Sequence, residues 1–278
     1  MPDNPDLTTA FKFMFLVERF YAGLAAFAGA AADAESGLGG RLLYAGELDI
    51  GARALVVAAN IAGAASLTAT ADTTAQKQAM RDGVVDFLVT SLDEALRILK
   101  NEIRKRETVA VCVGLAPEIV EREMAERGVR PDLLRPEAPD RPEAAAFLSQ
   151  GALPIEFAAP EENLALLTFH VAVAPAVWMP KLDAIAVACL REDPSPAAWV
   201  ARRWLLLGPR YMGRMAQGVR VVNCAPQSAR LFLARVELAV ERGEIGAQVW
   251  MSFNRGKESL LLHPSPPGTP TNVRENAI

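Results

Sequence analysis

The stretch RLLYAGELDIGARALVVAANIAGAASLTAT, residues 41–70, decides the fold. Arg41–Ala45 is a short apolar run of the kind that forms a buried strand. Gly46–Ile50 reads as a turn and Gly51–Ala62 as an Ala-rich helix. Ala65–Thr70 is strand-like again. The alternation continues with a helix over Thr73–Arg81 and a β-branched run at Val84–Val89. Ser91–Lys105 is an amphipathic helix, with Leu92, Ala95, Leu96 and Leu99 on one face. Val109–Val113 is nearly all β-branched, as a strand covered on both faces should be. Pro117–Arg127 completes the series, with its proline in the first turn, where no N–H is needed. Four β-α units in succession predict an α/β fold with a Rossmann-like, doubly wound parallel sheet.

The segment RPEAPDRP, residues 135–142, holds three prolines and no apolar run. It marks the end of this domain, which is expected to span residues 41–138. Before it, Leu7–Ala32 is helical, with Phe11, Phe15, Leu16, Phe20, Leu24 and Phe27 at spacings of three and four. After it, helices are expected over Glu143–Ser149, Asn163–Ala172, Pro196–Leu207 and Gln227–Glu241. Gly218–Val222 and Gly246–Ser252 are strand candidates. The segment 263–278 has four prolines and little to bury, and is expected to form a flexible tail.

Composition excludes several functions. The chain has 278 residues, 51% of them hydrophobic and 22% charged, with a formal net charge of −4. That acidic balance offers no basic surface for nucleic acid. Two histidines, His170 and His263, are too few for a His-rich metal site. Three scattered cysteines without a CxxC pair fit a reducing compartment. Asp3 and Asp6 stand where a secretory signal would be basic. The two uncharged 18-residue runs, Ala54–Ala71 and Asn163–Pro180, lack the apolar density of a membrane span. A cytoplasmic protein without membrane or nucleic-acid partners is expected.

The turn after the first strand is where a doubly wound sheet places a dinucleotide pyrophosphate, on the N-terminus of the next helix. Gly46 and Gly51 are spaced for that role. The residues between the glycines oppose it. Asp49 can cap the helix and take the N–H groups that a phosphate would need. Glu47 adds a second negative charge, and such contacts cost roughly 1 to 4 kcal/mol. Elsewhere, the arginines and tryptophans between Pro194 and Arg214 read either as an anion site or as a surface helix with its tryptophans packed inward. Lys100, Arg104, Lys105 and Arg106 close a helix C-terminus, where positive charge is favourable anyway. His170 sits in an apolar run as a core histidine, and Cys112 in a buried strand as an inert thiol.

Several segments resemble the urocanase (urocanate hydratase) family. Gly40–Gly46 with Ile61-Ala62-Gly63-Ala64 is similar to the entrance of that family's NAD-binding domain. Ser91–Leu96 and Glu126–Asp132 are similar to later stretches, in the same order. Beyond them Gln150–Pro154, Ala188–Pro194 and Gly218–Ala247 resemble the family more faintly. The resemblance implies that residues 1–40 join 139–262 in a second, discontinuous α/β domain. It also implies NAD as cofactor and a homodimer, while the family's long N-terminal region has no expected counterpart here.

Differences from the family pattern fall on its chemistry. The glycine-rich run around the pyrophosphate keeps only Gly46 and Gly51. The acidic triplet after the second strand keeps only Asp72, with Thr70 and Ala71 before it. The polar stretch expected after Asp132 is replaced by Leu133-Leu134-Arg135-Pro136-Glu137. The asparagine-rich motif after the 150–154 turn has become Phe157-Ala158-Ala159-Pro160, and Cys224 lies two residues late for the family's cysteine. The expectation is a urocanase-like protein without hydratase activity and without NAD. The alternatives are an active NAD-dependent lyase on another small substrate, and a structural or regulatory homo-oligomer. No catalytic residue is assigned.

Overall fold

The computed structural model describes residues 5–28, 37–135, 142–155, 163–253 and 258–263. The chain divides into two compact units, one of Phe15–Ala158 and one of Met1–Met14 with Ala159–Ile278. Helix α1, Pro5–Ala28, contributes to both.

In the first of these units the strands are β1 (Leu42–Glu47), β2 (Ala65–Ala69), β3 (Phe87–Val89), β4 (Ala110–Val113), β5 (Leu133–Leu134) and β6 (Leu153–Pro154). They form one sheet in the order β3-β4-β2-β1-β5-β6, and every pair in it is parallel. The connecting helices are α2 (Ile50–Ala62), α3 (Thr73–Arg81), α4 (Leu92–Lys105), α5 (Pro117–Glu126) and α6 (Pro142–Ser149). The unit thus extends beyond the 41–138 span, because β6 pairs with β5 after the proline-rich segment. Residues 136–141 of that segment, and the tail from 264 onward, lie outside the described residues.

Alternation along the strands assigns the two faces. Leu42, Tyr44, Leu67, Val111, Val113 and Leu134 point to one side, where they pack with α4, α5 and Phe147 of α6. Helix α2 rests on β1 and β2. Its alanines are what the tight space requires, and ten of its thirteen residues are buried.

The second unit is built on a four-stranded sheet of β7 (Ala165–His170), β8 (Val219–Cys224), β9 (Val249–Phe253) and β10 (Glu258–Leu262). Its order is β10-β9-β7-β8 and every pair is antiparallel. Its sheet is accompanied by the helices α7 (Pro175–Arg191), α8 (Pro196–Met212) and α9 (Pro226–Glu241). The helix expected over Asn163–Ala172 is therefore corrected to a strand. All six residues of β7 are buried, and a short, mostly apolar run carries too little period to separate strand from helix. Helix α7 was hidden by Pro175 and Pro180; Pro175 starts it, and Pro180 lies inside it.

A buried ion pair ties α7 to β8. Arg220 donates from Nε and Nη2 to both oxygens of Asp183, at 3.0 and 2.8 Å, and its Nη1 reaches the carbonyls of Ala216 and Val219. Phe169, opposite Arg220 in the ladder, packs on Phe232 of α9 at 4.9 Å. Burial pushes the Asp183 carboxyl above its ordinary range, and Arg220 opposes that shift. Replacing Asp183→Ala is expected to cost about 3–5 kcal/mol, because it strands a buried guanidinium. Chemical denaturation checks this, and a change below about 1 kcal/mol would contradict it.

His170 is 6% exposed, and burial lowers its pKa from the ordinary 6.5. The folded protein therefore holds it neutral where the unfolded chain binds a proton. Its contribution to stability is complete above about pH 6.5 and is lost as the pH falls below that value. Comparing wild type with His170→Gln between pH 7.5 and 5 should show the difference closing toward acid. The slope attributable to this one group is at most about 1.4 kcal/mol per pH unit.

Candidate functional site

Strand order sets the site. From β1 the chain passes to β2 on one side, and from β4 it crosses to β5 on the other. The crevice outside the carboxyl ends of β1 and β5 is thus the topological switch point, where open α/β sheets bind ligands.

The turn there is shorter than the sequence suggests. Strand β1 runs through Gly46 to Glu47, and α2 starts at Ile50, so only Leu48 and Asp49 connect them. Gly46 has φ +70° and follows a bulge at Ala45; the ladder steps from Tyr44–Leu67 to Gly46–Thr68. A left-handed φ of this kind is accessible to glycine at little cost. The Gly46 carbonyl accepts the Thr68 hydroxyl at 2.7 Å, and Leu48 N–H donates to Ala69 O at 3.0 Å. Both contacts draw the turn down onto β2.

Asp49 is the N-cap of α2. Its Oδ1 accepts the Ala52 N–H at 2.8 Å. The same oxygen accepts Arg135 Nη1 at 2.8 Å, while that nitrogen also faces the Glu47 carbonyl at 3.5 Å. A Cβ placed on Gly51 would stand 2.8 Å from Arg135 Nη2 and 3.4 Å from its Cζ. The guanidinium therefore covers the helix N-terminus, and its side chain is only 17% exposed. Arg135 is held there by the sheet, because its N–H donates to Tyr44 O at 3.2 Å beyond the end of β5. Glu47 lies close enough to Cys112 to help raise that thiol, which burial chiefly pushes up to about 12.

Asp72 stands after the C-terminal end of β2, exposed, as a ribose contact requires. Its Oδ1 caps α3, accepting Thr74 N–H at 2.7 Å and Ala75 N–H at 3.3 Å. Thr70, where the family carries an acid, is buried and turned inward. Its hydroxyl accepts Asp72 N–H at 3.2 Å, and its carbonyl accepts Gln76 Nε2 at 2.8 Å. Gly46, Gly51 and Asp72 thus line the carboxyl edge of neighbouring strands. The residue that sequence reading missed is Arg135. It opens the proline-rich segment 135–142, and the two-residue strand before it leaves no local pattern to mark it.

Other readings resolve structurally. Trp204 is buried and donates to Val221 O at 2.6 Å. Arg210 lies 5.3 Å over the Tyr211 ring and is exposed. In the second unit, burial pushes the Cys224 thiol up to about 12, and Cys189, beside Arg235, is raised for the same reason. These are not activated nucleophiles. An open cleft of about 360 Å³ between α7 and α9 is lined by Ala184, Ile185, Ala188 and Leu238, with Arg235 and Arg242 at its rim. Among the described residues no helix is long and apolar enough to cross a membrane.

A parallel sheet with helices on both faces and a crevice at the β1–β5 switch is a Rossmann-like domain. Residues 21–148 match the family model described as the urocanase Rossmann-like domain, so this part of the chain is similar to that domain. The family implies NAD, and the residues of this crevice do not fit it. A pyrophosphate on α2 would compete with the Asp49 carboxylate, which already holds the Ala52 N–H and the Arg135 guanidinium.

Replacing Asp49→Ala is expected to cost about 1 kcal/mol through the lost cap, and Asp49→Asn, which keeps a capping oxygen, clearly less. Thermal denaturation of the two variants gives the comparison. Equal losses would show that Asp49 does not cap α2 in solution.

Proposed function

We propose that this protein is a urocanase-family member whose nucleotide crevice no longer holds NAD tightly and which does not hydrate urocanate. The observation that carries the reading is the Asp49–Arg135 pair over the N-terminus of α2. Electrostatics favours the same conclusion. Asp49 presents a carboxylate to an anionic cofactor, against one guanidinium already bonded to it. Each like-charge contact costs roughly 1 to 4 kcal/mol, depending on the effective dielectric. Binding at ~100 µM is worth only about 5.5 kcal/mol in total.

Thr70 adds to the loss, since a hydroxyl turned into the protein offers no charged acceptor to a ribose. Such a hydrogen bond is worth about 1.5–3 kcal/mol. The family's reaction needs a fixed nicotinamide, so a protein without tightly held NAD lacks the group on which hydration depends. The chain's retained role is then that of a Rossmann-like scaffold.

Two measurements test this. Purified protein, denatured and analysed for released nucleotide, should contain far less than one NAD per chain. Urocanate incubated with the protein and added NAD should keep its absorbance. Stoichiometric NAD, or consumption of urocanate above a heat-treated control, would overturn the proposal.

A further inference from the structure

The crevice does more than lack features for a cofactor, because it contains its own substitute for one. A dinucleotide pyrophosphate brings negative oxygens to helix N–H groups and to a nearby cation. Here Asp49 Oδ1 does both, at 2.8 Å from Ala52 N and 2.8 Å from Arg135 Nη1. The cation is a rigid part of the sheet rather than a chance surface contact. Arg135 follows β5, and the ladder fixes its backbone against β1 through the Asp132 N–H to Leu42 O and Arg135 N–H to Tyr44 O bonds. Its guanidinium lies on the one α2 position without a side chain, Gly51, where any Cβ would meet Nη2 at 2.8 Å. We infer that Asp49 is the specificity-determining residue of this crevice: with Arg135 it forms an internal plug that satisfies the anion-binding elements and shuts out external phosphates.

The inference rests on the proposed loss of NAD binding and deepens it, by naming what closes the site. It has a consequence that simple erosion of a glycine-rich loop does not have. Removing Arg135 alone leaves the Asp49 carboxylate on the helix and should not open the crevice to anions. Removing the Asp49 carboxylate alone leaves a guanidinium above an uncapped helix N-terminus, which is an anion site in full. An eroded loop would instead stay unable to bind after either change.

The experiment is calorimetric titration of the full chain with inorganic pyrophosphate at low ionic strength. Wild type and Arg135→Ala should show no saturable binding at millimolar pyrophosphate. Asp49→Gly should bind at least about tenfold more tightly than wild type, a difference of ~1.4 kcal/mol. The double variant Asp49→Gly with Arg135→Ala should fall back to wild-type behaviour. Asp49→Asn keeps a cap oxygen without the charge and is read in the same assay if Asp49→Gly fails to fold. No gain in either Asp49 variant, or a gain that survives loss of Arg135, would overturn the plug while leaving the absence of NAD from the wild type intact. Saturable NAD binding by the wild type would overturn both readings together.

Discussion

One carboxylate organises the centre of the parallel sheet. Asp49 ends the two-residue turn after β1, caps α2, and holds a guanidinium delivered by β5. The turn after β1, the first turn of α2 and the residue that follows β5 are joined through that oxygen. The arrangement is stable for the reason a bound phosphate would be stable there. The positive end of a helix needs an anion or an acceptor, and the acceptor needs its own charge balanced. In this chain both needs are met from within.

The same residues explain why the domain keeps its fold while its chemistry departs from the family pattern. Strand pairing, the Ala-rich α2 and the apolar face shared by α4 and α5 depend on burial and not on any ligand. Gly46, Asp49 and Asp72 lie at the carboxyl edge, where the turns that follow the strands carry them. The second unit is organised differently, around an antiparallel sheet whose helix-facing side carries the Arg220–Asp183 pair. There the buried charge is fully hydrogen-bonded and serves to fix α7 on β8.

Much of the first unit was legible because its signals are local. Ser91 before an amphipathic run, Pro117 at a helix start and the β-branched run at 109–113 each state their element within a few residues. Asp49 as a cap was legible too, from its place just before the helix. What stayed hidden depends on long-range pairing. Leu164–Val171 is mostly apolar and buried on both faces, so only its partners β8 and β9 make it a strand. Arg135 lies 86 residues from Asp49, and nothing in the local sequence joins them. Asp49 was legible as a cap from local sequence, whereas the cation that holds it comes from beyond β5.

The most direct test looks at the crevice itself. In ¹⁵N-labelled protein the Ala52 amide, bonded to Asp49, reports any ligand that reaches the α2 N-terminus. Titration with NAD is predicted to leave that resonance without saturable change. A saturable shift of Ala52 and its neighbours, centred on Gly51, would show that NAD enters the crevice and that the pair does not close it.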